Sequence, residues 1–217
     1  MAKRPDTDWR IITAALKLGA EVGWRRVTLA GIAEAAKIKP DDLRARFPSR
    51  RAILEAFAER ISQQTLDAAT PEGETIRDRL FELIMCRFEA LAPHKDQVRA
   101  MLPGLPKRAG GSAGGGAGGG TDPCIALFGL CAARRAMKLT LATAGVSTAG
   151  WLGAVKIKAL TLVYLNALRI WLGDDSGAMD KLMARLDKSL ARLERLAGSV
   201  IARPGSGDGD GQAAAAD

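Results

Sequence analysis

Apolar positions recur at three- and four-residue spacing through most of this 217-residue chain, the period of a helix with one buried face. The first such stretch, about Asp8 to Val22, puts Trp9, Ile12, Ala15, Leu16 and Gly19 near one face, and Gly23 stops it. A second, Leu29 to Ala36, follows Thr28, whose hydroxyl can accept an otherwise unpaired amide at a helix N-terminus. After the turn Lys37-Ile38-Lys39, Pro40 suits the first position of a third helix, where its missing N–H costs nothing. Asp41 and Asp42 are favourable to the dipole of that first turn. Phe47-Pro48-Ser49 ends it and caps a fourth helix running from Arg50 to about Ala68. A helix as short as the third is not stable alone, so its neighbours must pin it. The pattern predicts a helix-turn-helix that presents its last helix outward.

Beyond Thr70-Pro71-Glu72-Gly73 the period resumes. A fifth helix, about Thr75 to Leu91, carries Ile76, Leu80, Leu83, Ile84, Phe88 and Leu91 on one stripe; Pro93 closes it and a short sixth runs His94 to Leu102. Residues 103–121, proline- then glycine-rich, are expected to be a flexible loop. No strand precedes those glycines and no Lys-Ser/Thr pair follows them, so they do not read as a phosphate cradle. The seventh, eighth and ninth helices are expected at Asp122 to Thr143, Ala149 to Leu172 and Gly177 to Ala197. The eighth is apolar nearly all the way round, which predicts burial on more than one side. The ninth has a narrower seam that includes Leu182, Leu186, Leu190 and Leu193, opposite Lys181, Arg185, Lys188 and Arg192. A monomer could hide that seam internally; we expect helices eight and nine together to form the dimerisation unit of a two-fold dimer, the commonest oligomer. Residues 198–217, rich in Gly, Ala and Asp, read as a disordered tail.

Strand signals are nearly absent and alanine, leucine and arginine dominate, which predicts an all-α protein. The expected organisation is a helix-turn-helix head in 1–50 and a helical body in 51–197. With 47% hydrophobic residues the chain can bury one sizeable core plus a small satellite. The net charge is +8, and residues 1–60 hold 13 Lys/Arg against 8 Asp/Glu. A basic head suits a polyanion such as DNA, although an anionic membrane surface or a plain solvated face would look alike.

Met-Ala-Lys-Arg-Pro-Asp leads into charged, periodic sequence rather than an apolar run, so no secretory signal is expected. The best membrane-span candidate, Trp151 to Leu172, contains Lys156, Lys158 and Arg169 and is read as a buried bundle helix. Cys86, Cys124 and Cys131 have no metal-ligand spacing and are expected to pack in the core in a reducing cytoplasm. The single histidine, His94, stands beside Pro93 at an expected exposed helix start, as a capping or surface residue. With no HExxH, GxSxG or Cys/His pairing, no catalytic residue, metal or cofactor is expected, and a binding protein remains.

The segments AALKLGAEVGW, VTLAGIAEAA and LRARFPSRRAIL, in that order and spacing, closely resemble the DNA-binding domain of the TetR family of bacterial transcription regulators. The resemblance implies an all-α cytoplasmic homodimer of about nine helices, most often a repressor, with a ligand pocket behind the head. It points to DNA contact by Thr28, Lys37, Lys39, Arg44, Arg46, Arg50 and Arg51. It also implies an apolar small-molecule or lipid ligand among helices five, seven and eight, for which Met85, Phe88, Phe128, Cys131, Trp151 and Tyr164 are the candidate lining. This chain departs from the family where a glycine usually occupies the turn (Lys37 and Lys39 here), and where a threonine and a tyrosine usually touch phosphate (Asp42 and Arg44 here). The second half, in IRDRLFELIMCRFEALAPHKDQVRAML and the Trp and Tyr spacing of the eighth helix, also looks like the TetR-fold lipid-binding accessory proteins of ubiquinone biosynthesis. That alternative implies a head that no longer binds DNA.

Overall fold

The computed structural model describes residues 7–70, 73–102, 123–174 and 179–201. The loop 103–121 and the end of the tail, 202–217, lie outside the described residues. Within them are nine α-helices and no strand: α1 (Thr7–Val22), α2 (Leu29–Ala35), α3 (Pro40–Arg46), α4 (Arg50–Ala68), α5 (Ile76–Leu91), α6 (Lys95–Met101), α7 (Pro123–Thr143), α8 (Gly150–Gly173) and α9 (Asp180–Ile201). The last corrects an expectation, because α9 continues through Gly198 to Ile201 where a tail was predicted. One glycine costs an established helix only about 1 kcal/mol, too little to end it.

In the head, Ile11 and Leu16 of α1, Ile32 of α2, Leu43 of α3 and Ile53 of α4 close a core with no exposure. A Cβ on Gly19 would lie 2.7 Å from the Trp24 ring, so the indole packs on bare backbone. Gly23, at φ +81°, then turns the chain through a conformation that costs glycine little. Ser49 caps α4 by accepting the Ala52 amide at 3.1 Å. In the next residue, the Arg50 guanidinium donates to the Trp24 and Val27 carbonyls at 2.8 and 2.7 Å, tying the start of α4 to the chain that enters α2.

In the body α4 packs on α5 and α7 on α8, with α7 also against α4 and α5, and the rings of Phe88 on α5 and Tyr164 on α8 meet across the core. Thr75 and Asp78 form a reciprocal capping box at the start of α5. Helix α9 lies on α5 and α8. Arg77 of α5 bonds to Asp187 and reaches Glu194 at 4.0 Å across that contact.

The placement of α9 overturns the predicted dimer seam. Leu182, Leu186 and Leu190 are 2, 1 and 2% exposed inside a single chain, and Leu193 is half-buried against the same core. They have already found a partner surface, so they offer none to a second copy. Conversely, α8 is not buried on several sides within the protomer. Ile157, Leu160, Tyr164, Leu168 and Trp171 face inward, while Trp151, Val155 and Leu162 face solvent. By length and composition α8 could cross a membrane, yet its inner face is built into this bundle.

Two smaller expectations also fail. Cys124 and Cys131 are exposed, because the inward line of α7 runs through Ile125, Ala133, Ala136 and Met137, and Cys86 on α5 is half-buried. His94 is buried rather than exposed. Its ring meets Trp9 of α1 edge-on at 5.3 Å and Phe57 of α4 edge-on at 5.4 Å. The turn after Pro93 folds back into the crevice between head and body, and the imidazole fills it.

Burial pushes the His94 imidazole below its ordinary value of 6.5, because the charged form loses solvation. The folded state therefore binds this proton less readily than the unfolded chain does. The stability associated with neutral His94 is full above pH 6.5 and is lost as pH falls below it. In thermal melts from pH 7.5 to 5, His94→Gln should lose less stability on acidification than the wild type. Parallel curves would show that His94 takes up its proton without penalty.

Candidate nucleic-acid interface and ligand cavity

The outward surface of α3 is built by the turn before it. The Thr28 hydroxyl accepts the Gly31 amide at 3.1 Å, so its role in this structure is to start α2. The Ile38 amide returns to the Ala33 carbonyl at 3.0 Å, closing the turn around Lys37, whose φ is +54°. This is the left-handed conformation that a glycine would adopt without strain. A side chain there costs on the order of 1–2 kcal/mol.

Lys37 and Lys39 are exposed. Arg44 sits 3.6 Å from Asp41, Arg46 2.6 Å from Asp8 and Arg51 2.8 Å from Glu55, all at the surface. Such exposed pairs are worth about 0–1 kcal/mol each, so phosphate can displace the carboxylates readily. Arg50 differs from the other basic residues named from the sequence: its guanidinium is engaged by the Trp24 and Val27 carbonyls, and it serves the fold. Arg10, which the sequence reading passed over, lines a polar cleft between α1 and α3 with Thr7, Asp42 and Arg46. Nothing in its spacing separates it from an ordinary solvated position.

Behind the head lies a cavity of about 110 Å³, walled by α4, α5, α6, α7 and α8. Its lining includes Phe57, Arg87, Val98, Met101, Phe128 and Tyr164. Phe128 and Tyr164 are therefore placed as the sequence suggested. Phe88 is fully buried in the core beside it, its ring 5.6 Å from Tyr164 and 5.5 Å from Trp171. Met85 is buried away from the wall. Cys131 and Trp151 face solvent, the latter 74% exposed, because the helical period turns them away from the inward lines of α7 and α8.

The sequence reading missed Arg87, which is only 6% exposed. Its Nε donates to the Tyr164 hydroxyl at 3.4 Å and an Nη to the Ser62 hydroxyl at 3.1 Å, with the guanidinium 5.8 Å from the Tyr164 ring centre. The signal was present: Arg87 stands four residues past Leu83 and four before Leu91, a charge inside the apolar stripe of α5. Cavity and interface share parts. Phe57 lines the cavity and also meets His94, while α6 supplies Val98 and Met101 to the wall and packs on α1.

Residues 11–57 match the family model described as bacterial regulatory proteins, tetR family. The fold as a whole is similar to a TetR transcriptional regulator from Nitrosomonas europaea ATCC 19718, at 20% identity and a TM-score of 0.62, covering 87% of this chain and 98% of that one. A tetR-family transcriptional regulator from Streptomyces coelicolor gives 20% identity and a TM-score of 0.56 over 89% and 82% of the two chains. A TetR transcriptional regulator from Rhodococcus sp. RHA1 gives 16% identity and 0.55 over 86% and 94%. At those identities the likeness establishes the fold. No curated protein matches the chain.

The strained turn carries its own test. Lys37→Gly relieves the left-handed side chain, offset in part by the freedom glycine gains when unfolded, so the head should melt later by up to about 1 kcal/mol of stability. The same change removes an exposed cation from the turn. Affinity for DNA should fall while stability rises, checked by chemical denaturation and a binding titration on one preparation. If stability falls, the turn holds Lys37 without strain.

Proposed function

We propose that this chain, a TetR-family protein by its N-terminal domain and its fold, is a dimeric cytoplasmic repressor whose hold on DNA is set by a small molecule bound behind the head. The observation that carries this reading is the double placement of Phe57, at the cavity wall and in the ring cluster with Trp9 and His94. A ligand acts by favouring one of two arrangements, which requires different affinity for each. Here an occupied cavity presses on α4 and α6, and both helices also contact α1. The division of labour we propose is a DNA-contacting head in residues 1–50 and a ligand-binding and dimerising body in 51–197. The lipid-carrier alternative is not favoured, since the head falls within the regulators' own family model.

On this reading Lys37, Lys39, Arg44, Arg46 and Arg51 face phosphate or base edges, with Thr28 and Arg50 shaping the motif. Each phosphate neutralised contributes about 0.9 to the slope of log affinity against log salt. Binding to a fragment carrying the protein's own promoter should weaken steeply with salt. Lys39→Ala and Arg44→Ala should each flatten the slope by about that amount. Absence of any complex at low salt would overturn the regulator reading.

The dimer we propose forms through the outward face of α8, where Trp151, Val155 and Leu162 are 74, 54 and 60% exposed. An apolar stripe of that kind on a soluble helix bundle marks an interaction surface, and a two-fold pairing of it would present two heads to successive turns of DNA. Val155→Asp should halve the mass in solution with helicity kept. Leu186→Asp, which buries a charge in the protomer core, should lose helicity instead. Monomeric wild type at micromolar concentration, or a folded Leu186→Asp monomer, would return the interface to α9 or remove it.

A further inference from the structure

Arg87 is the least expected group in the interior. An arginine remains charged in a protein, and taking that charge out of water is costly without a counter-charge. Its partners are neutral: the Tyr164 hydroxyl, the Ser62 hydroxyl and the Tyr164 ring. Among the described residues no carboxylate lies within ion-pair distance of it. A guanidinium has five N–H groups, and these two hydrogen bonds engage two of them. Tyr164 accepts from Arg87, which leaves its own hydroxyl proton for another acceptor, and among the described residues none receives it. Both side chains line the cavity.

From this we propose that the cavity recognises a small monoanionic acid: a carboxylate carried on a compact apolar body, held by the Arg87 fork and the Tyr164 hydroxyl. This deepens the ligand-controlled reading above and rests on it for the cavity's role. A carboxylate matches the planar fork with two parallel hydrogen bonds and supplies the missing charge. The apolar remainder of the wall, Phe57, Val98, Met101 and Phe128 among it, suits a hydrocarbon body. At about 110 Å³, below the about 150 Å³ of an apolar cavity that accepts benzene, the cavity favours a body no larger than about one ring or a short chain. A second anionic charge would find no second buried cation among the lining residues.

The test compares acids with neutral analogues of the same shape: benzoate with benzyl alcohol, and hexanoate with 1-hexanol, each titrated calorimetrically and by thermal shift into the full-length protein. Wild type should bind the acid of each pair at least about tenfold more tightly, the difference one charge-assisted hydrogen bond makes. Arg87→Met replaces the buried cation by an apolar chain of similar volume. It should fold with a melting point at or above that of wild type and should lose the preference for the acid. Tyr164→Phe should keep the fold and retain a weakened preference. Preference for the alcohols, no binding of either acid, a preference that survives Arg87→Met, or an Arg87→Met protein that does not fold would each overturn the proposal; the last would make the guanidinium a structural strut. Adding the promoter fragment separates the two claims. Acid binding without any DNA complex leaves this inference standing and removes the regulator reading. A DNA complex without acid binding does the reverse.

Discussion

Helix α4 has to satisfy two cores at once, and the rest of the molecule is arranged around that constraint. Ile53 belongs to the closed interior of the head, while Leu54, Phe57 and Ile61 also form the cavity wall. A continuous helix of 19 residues cannot move one end without moving the other. Its first turn is held to the head by the Arg50 hydrogen bonds, which act on backbone carbonyls and leave little play. Displacement at Phe57 is therefore delivered to the chain entering α2. The crevice between head and body is closed by rings: Trp9, Phe57 and His94 meet within 5.3 to 6.3 Å, and the Arg60 guanidinium lies 5.5 Å from the Trp9 ring centre.

Among the described residues two ionisable side chains stand out in the interior, His94 at this joint and Arg87 at the cavity. His94 accepts burial by remaining neutral, as the fall in its proton affinity indicates. Arg87 has no such option and keeps its charge beside hydroxyls and an aromatic face. Each would be less costly as a hydrocarbon, so both mark places where something other than packing decided the residue. Elsewhere the interior is conventional, and charges such as Arg77 and Asp187 meet at the surface.

Periodicity made the helices legible almost to their ends, because it reports which face of each helix is buried. It does not report what buries that face. The leucines of α9 were therefore read as a contact with another chain, although α5 and α8 cover them within this one. His94 was misread for a related reason. Proline marks where a helix closes, while the direction of the next turn depends on the crevice between Trp9 and Phe57, a tertiary feature. The helix-turn-helix was legible because its signals are local: a cap at Thr28, a proline at α3 and a cap at Ser49. The basic residues on it were legible as a set, but not Arg50's inward commitment, which needs the distance to Trp24 and Val27.

That α9 is sealed within its own protomer has a kinetic meaning. A chain whose leucine seam closes on itself completes its core in a first-order step, whatever its concentration. Association through another face is then a separate second-order event between folded partners. Unlike an obligate dimer whose monomers cannot stand alone, such a protein can exchange subunits without unfolding. Were two such chains to pair through that other face, the paired form would, while scarce, grow with the square of the chain concentration.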